Sequence, residues 1–335
     1  MFSISIFEIL FFLRQLGFAL AGASCLWGIY FYIKSKKTKR EKSEVLRETS
    51  GKMFGPLSLG VFLAFLNWIG FNIFYPALVL AHEGISLTIN AKEVFVSMQN
   101  LSMFFYLFFG VYLAGALWRK FSPDSFSKNI SIFYGLELIL ASIIISIPVW
   151  FEGLPTYQQI FHIGHSFHSI LTIGTVLVLD FVFILTKYSE TFEKHLYGLL
   201  SSFSNVIWFG LAIDFISVLF IFHEAISFSS KFIFMQTVIA VIIINGILLS
   251  GPITEKLLSV VKDKEIKKLS PSWDRFMTVS GSVSVVSWLT ITFTDVIQEV
   301  SLSYPLLLAI YVLIIIIAYV VYEILEHYKV GARWS

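Results

Sequence analysis

The sequence predicts an all-α, polytopic membrane protein of about nine transmembrane helices, and three observations point there. Of its 335 residues, 57% are hydrophobic and 14% charged, with a mean hydropathy of +0.81. A soluble domain carries about 25% charged residues. The apolar residues form unbroken runs near the ~20-residue length a helix needs to cross the hydrocarbon core, whereas barrel strands would alternate over about 10 residues. Finally, Lys and Arg concentrate in alternate connections between those runs.

In chain order the predicted spans are 6–33, 54–81, 95–118, 130–150, 158–186, 196–222, 232–251, 276–296 and 304–326. The opening MFSISIFEILFFLRQLG has no basic n-region, and no obvious small-residue cleavage site follows before about Ile33. A retained first span is therefore expected rather than a cleaved signal peptide. The link KSKKTKREK (34–42), continuing to Lys52, reads as a short cytoplasmic helix or a flexible connection. Its charge most simply enforces topology, and a specific anionic-lipid site is the sharper alternative.

Orientation follows from the basic residues. Twenty-one of the 24 lysines and arginines fall on one set of loops, around 34–52, 119–128, 187–194, 256–275 and 329–333. Only Lys92 and Lys231 fall on the other side, and Arg14 is inside the first span. The expectation is N-terminus out and C-terminus in, as a multi-pass protein of a bacterial inner membrane.

Weak internal similarity suggests how the spans are grouped. SFHSILTIG (166–174) resembles SFSNVIWFG (202–210), LNWIG (66–70) resembles VIWFG, and HEGIS (82–86) resembles HEAIS (223–227). These are compatible with a duplicated four-helix unit in parallel orientation. The expected division is residues 1–53 (first span and basic link), 54–195 (first unit) and 196–335 (second unit and tail).

The histidines carry the chemical question. With this topology, His162, His165 and His168 lie in the outer third of the fifth span, and His82 and His223 follow the outer ends of the second and sixth. At i, i+3 spacing the first three share a helix face, continued by Ser169, Thr172 and Thr175. On an ideal helix Asp180 returns to the azimuth of His162 after five turns, about 27 Å deeper. A polar stripe on a membrane helix must face protein or water.

Three roles are open to these residues. Neutral imidazoles bind copper, zinc or haem iron; His165, His168 and His162 are the candidate cofactor ligands. His82 and His223, or a methionine such as Met98 or Met103, are candidates to complete a metal site. Alternatively, protons pass between His168 and Asp180, with Asp180, Asp214 and Glu137 as the proton path. The third role is interfacial packing at headgroup depth. Arg14 and Asp214, buried in spans one and six, call for partners; an Arg14–Asp214 pair, a haem propionate on Arg14, and snorkelling of Arg14 all satisfy that need. Glu323 joins Glu137 and Asp180 in the inner half. Ser280, Ser284, Ser287 and Thr294 on span eight, and Asn245-Gly246 on span seven, read as helix-packing contacts.

No Walker A, GxSxG, HExxH or dinucleotide-binding fingerprint occurs, and no long soluble domain is predicted. The lone Cys25 rules out an intramolecular disulfide and a cysteine zinc site within one chain.

The spacing His165, Thr172, Gly174 resembles the H-x6-W-x-G helix pattern of copper-resistance D-type membrane proteins and related haem-associated bacterial membrane proteins. Thr172 stands where that pattern has tryptophan, while Trp68 and Trp208 keep Trp-x-Gly without the histidine. INGILLSGPITEKLL and SGSVSVVSW also look like membrane proteins of this general type. The resemblance implies that His165 is the ligand-like histidine and that the cofactor is haem b or copper. The leading expectation is thus metal or haem binding near the outer face, for electron transfer or copper handling. The alternatives are a proton-coupled secondary transporter and a structural membrane subunit. The expected partners are the lipid bilayer and a redox or membrane protein, with no nucleic acid. No catalytic residue is assigned, and whether the chain is an enzyme stays open.

Overall fold

The computed structural model describes residues 6–74, 89–151, 156–186, 199–221, 229–256, 271–297, 300 and 302–332, and every regular element among them is helical. The helices are α1 (Ile6–Lys36), α2 (Arg40–Lys52), α3 (Phe54–Ile69), α4 (Ile89–Phe121), α5 (Pro123–Phe151), α6 (Thr156–Ser169), α7 (Thr175–Thr186), α8 (Leu200–Ile221), α9 (Ser230–Leu248), α10 (Pro271–Val296) and α11 (Tyr304–Ala332). A π turn follows α3 (Gly70–Phe74), another joins α6 to α7 (Ile170–Gly174), and a third follows α9 (Leu249–Ile253). Among the described residues, nine helical stretches are long and apolar enough to cross a membrane. The polytopic all-α class expected from composition is what is observed. The basic link is a helix, α2, and α3 begins at Phe54, where the second span was expected.

The chain divides into two compact units. The larger comprises Ile9–Ser189 and Asn205–Ala225; the smaller comprises Met1–Glu8, Glu190–Ser204 and Ile226–Ser335.

In the larger unit α1 is the core. Phe18, Ala19, Ala21, Ala23, Cys25 and Phe31 are all fully buried. Small residues let other backbones approach it closely, as membrane helices require when no hydrophobic force drives them together. A Cβ on Gly60 of α3 would lie 2.6 Å from the Ala21 nitrogen and 2.7 Å from the Gly17 oxygen. A Cβ on Gly174 would collide with the Ala19 carbonyl. Phe18 fills the opposite gap against Phe105 and Phe108 of α4, at 5.6 and 5.2 Å between ring centroids.

Two polar contacts tie α1 to its neighbours. Asn67 Nδ2 donates to the Leu10 carbonyl at 2.7 Å. Arg14 donates to the Ile144 carbonyl at 3.0 Å. That carbonyl lacks its helical partner because Pro148, four residues on, has no N–H. A neighbouring helix thus satisfies the freed backbone group, as the bilayer demands. The pairing of Arg14 with Asp214 that buried charge alone suggested is not formed; the proline-freed carbonyl takes the guanidinium instead.

One end of the larger unit is basic. Lys34 and Lys36 lie over the rings of Tyr30 and Tyr32, and Arg119 over Phe54. Tyr32 donates to the Lys128 carbonyl at 2.5 Å, which brings the start of α5 to the end of α1. Leu46, Thr49 and Ser50 are buried and seat α2 there, while Arg47 stays exposed.

The smaller unit packs α9, α10 and α11 against one another. Buried polar groups pair across its helices: Asn245 Nδ2 donates to the Ser280 carbonyl at 2.9 Å, and Ser280 Oγ donates back to Asn245 Oδ1 at 2.6 Å. Ser287 and Tyr311 share a hydrogen bond of 2.6 Å, and Lys231 donates to the Ile297 carbonyl at the end of α10. The packing role expected for Asn245 is seen, as it is for Ser280 and Ser287 of the span-eight stripe, whereas Thr294 bonds the Thr290 carbonyl of its own helix. α11 turns most of its apolar surface outward, as a lipid-facing helix does.

Candidate functional site

The site arises where α6 and α8 run antiparallel within the larger unit. Phe161 stacks on Phe220 with ring centroids 4.1 Å apart and planes 4° from parallel. A Cβ on Gly164 would lie 2.8 Å from Ser217 Oγ, and one on Gly210 would lie 2.7 Å from Thr172 Cγ2. Between these close approaches, His165 and His168 on α6 meet Asp214 on α8. Gly164 and Gly210 therefore bring the helices near enough for short polar side chains to touch.

His165 Nδ1 lies 2.7 Å from Asp214 Oδ1, and His168 Nδ1 lies 3.4 Å from the same oxygen. His168 Nδ1 also bonds the His165 carbonyl, one turn back on its own helix. The two rings lie side by side, 5.0 Å apart and 30° from parallel. A carbonyl and a carboxylate only accept, so each of these hydrogen bonds needs a proton on Nδ1 of its ring, a proton that a bound ion at Nδ1 would displace. One ligand atom from each of the three residues falls within 4.8 Å of the others. The side chains are 24%, 14% and 23% exposed, so the group is sheltered yet reachable.

Behind the histidines the helix leaves α geometry. Thr172 donates to the His168 carbonyl at 2.8 Å, and Thr175 donates to Ile170 at 3.3 Å across the π turn. Trp27 of α1 donates to Thr175 Oγ1 at 3.2 Å. A π turn closes i→i+5 bonds and inserts about one extra residue, so everything beyond is rotated by roughly 100°. The ideal-helix expectation that Asp180 lies beneath His162 is corrected by this turn. Asp180 is on α7, about 18 Å beyond His168 at the usual helical rise. Its Oδ2 is buried without a hydrogen-bond partner among the described residues.

The other expected site residues are dispersed or undescribed. His162 is half-buried one turn before His165 and is outside the three-residue group. His82 and His223 lie outside the described residues. Met103 is 67% exposed on α4, and the side chain of Met98 lies outside the described set. Glu137 is fully buried on α5, facing α1. Glu323 is on α11, in the smaller unit.

The sequence reading named Asp214 but placed it with Arg14 or a proton path, not with the histidines. A signal was present: Gly210, Asp214 and Ser217 recur at i, i+4 and i+7, a small and polar face on span six that mirrors Gly164, His165 and His168 on span five. Comparison with protein-family models, with curated proteins and with solved structures finds no match.

Proposed function

We propose that the chain is a metal-binding protein of the bacterial inner membrane, with one transition-metal ion held by His165, His168 and Asp214 near the outer face. The observation that carries the reading is the convergence of two imidazoles and a carboxylate from two helices within 4.8 Å. Imidazole suits copper, zinc and iron, and one carboxylate added to two histidines suits a divalent ion. The hydrogen bond from His165 Nδ1 to Asp214 supports a second arrangement with the same members, in which Nε2 ligates and the carboxylate orients the ring and raises its basicity.

A small ion is favoured over haem. Side-by-side rings from one helix face cannot serve as the two axial ligands of one haem, which approach from opposite sides. Haem would use one ring and a second ligand from elsewhere. Electron transfer or copper handling is the activity such a site serves, and the resemblance around His165–Gly174 agrees with it.

Metal analysis of the purified full chain tests this. The expected result is about one copper, zinc or iron per chain. Asp214→Asn should weaken binding by about 10–100-fold if the carboxylate only orients a ligating imidazole and by more if it ligates the ion itself, His165→Ala or His168→Ala should weaken it strongly, and His162→Ala should leave it intact. A flat visible spectrum together with no bound metal after copper or zinc is supplied would defeat the proposal. A Soret band would replace the small ion with haem.

A further inference from the structure

Glu137 poses a separate question, independent of the histidine site. It is 0% exposed, and neither carboxylate oxygen has a hydrogen-bond partner among the described residues. Across from it on α1, the Cys25 thiol is near enough to feel its charge. Tyr134, three residues earlier, shares its helix face and is itself within electrostatic reach of Cys25 and of Arg119 at the end of α4. An ionisable group inside a membrane span is expected either to be paired or to serve an ion pathway.

The surroundings decide which cation the group can hold. A metal cation such as calcium needs about six or more oxygen ligands. The identified neighbours of Glu137 are a thiol and a phenol, and the Tyr134 hydroxyl already donates to the Ser50 carbonyl at 2.8 Å. A proton needs a single oxygen. Tyr134 also lies one turn nearer the basic end, with its ring against Gly28 of α1 and its hydroxyl tied to α2. It stands between Glu137 and that end along α5.

We propose that Glu137 is a proton-carrying station in the core of the larger unit, exchanging its proton with water from the basic end when the Tyr134–Ser50 hydrogen bond opens. The carboxyl O–H gives its proton to a water molecule that enters past Tyr134, and the reverse step returns it. This would supply the larger unit with a titrating group apart from the histidine cluster, as a proton-coupled step requires.

Infrared spectroscopy of the purified, chelator-treated full chain at neutral pH tests the idea. The spectrum should contain a protonated-carboxyl C=O component that Glu137→Gln removes and Asp180→Asn leaves in place. Transfer to D2O should shift that component, and Tyr134→Phe should speed the shift about tenfold, as expected for loss of a hydrogen bond that must open before water enters. Identical spectra for wild type and Glu137→Gln would show Glu137 ionised and overturn the station. An unchanged exchange rate in Tyr134→Phe would overturn the part assigned to Tyr134. Should Glu137→Gln fail to fold, wild-type protein treated with dicyclohexylcarbodiimide gives the same decision. A protonated carboxyl adds its O–H across the carbodiimide C=N with no leaving group, so an adduct on the Glu137 peptide supports the proposal and its absence refutes it.

Discussion

In the smaller unit Asn245 and Ser280 satisfy each other twice over, and Ser287 finds Tyr311. In the larger unit Glu137 is buried with both oxygens, and Asp180 with one, lacking a hydrogen-bond partner among the described residues. The packing differs in the same sense. More than half of the apolar stretch of α1 is buried, against 6% of that of α11. A tightly packed helix cluster with carboxyl oxygens that have no partner among the described residues, and with a histidine–aspartate group, contrasts with a three-helix cluster whose paired polar groups hold it together. Burying an unpaired polar group costs stability, so the larger unit is where chemistry offers a reason to keep one. The contrast can be broken or sharpened by substitution, and the expected effects differ in size.

The largest effect belongs to the close contacts of α1. Gly60→Val would push a side chain into the backbone of Ala21 and Gly17, where nothing can rotate away. Overpacking costs typically about 1–3 kcal/mol and more when backbone must move, so a loss of about 3 kcal/mol or more is expected in thermal unfolding in detergent. Gly281→Ala in the smaller unit meets open space and should be neutral or gain up to about 1 kcal/mol from helix propensity. Equal effects at the two sites would erase the difference in packing between the units.

Next in size is the contact of Arg14 with Ile144. Arg14→Met would leave the Ile144 carbonyl without a donor, which costs about 1–3 kcal/mol for a buried acceptor. Pro148→Ala restores the missing N–H and should recover most of that loss in the double variant. If Pro148→Ala brings no recovery, Arg14 stabilises α1 by some means other than the freed carbonyl.

These two cases also show what could be read in advance. The membrane spans were legible because apolar length is a local property, and the shared face of His165 and His168 followed from helical period alone. Pro148 announces a carbonyl in need of a donor, but which helix supplies it is decided only when α1 packs on α5. The π turn at Ile170–Gly174 was hidden for the same reason. ILTIG has the composition of an ordinary helix, and the altered turn accompanies the contact of Gly174 with Ala19. Asp214 was visible as a buried charge, yet its partnership with the histidines needed the antiparallel register of α6 and α8 that the glycines permit. Local periodicity thus reported faces, and tertiary contact reported partners.

The smallest effect is expected where the polar groups are already paired. Asn245→Ala removes both hydrogen bonds of the pair, and Ser280→Ala removes only the one made by its hydroxyl. Interhelical hydrogen bonds in membranes average only about 0.6 kcal/mol in double-mutant cycles, because the unfolded chain in the bilayer finds other partners. A coupling of about 0.6–1.7 kcal/mol between the two positions is therefore expected, with metal content unchanged. A much larger coupling would mean that the three-helix cluster depends on this pair for its fold. A loss of metal in Asn245→Ala would mean that the smaller unit contributes to the site, and the division of labour argued from the buried carboxyls would have to be abandoned.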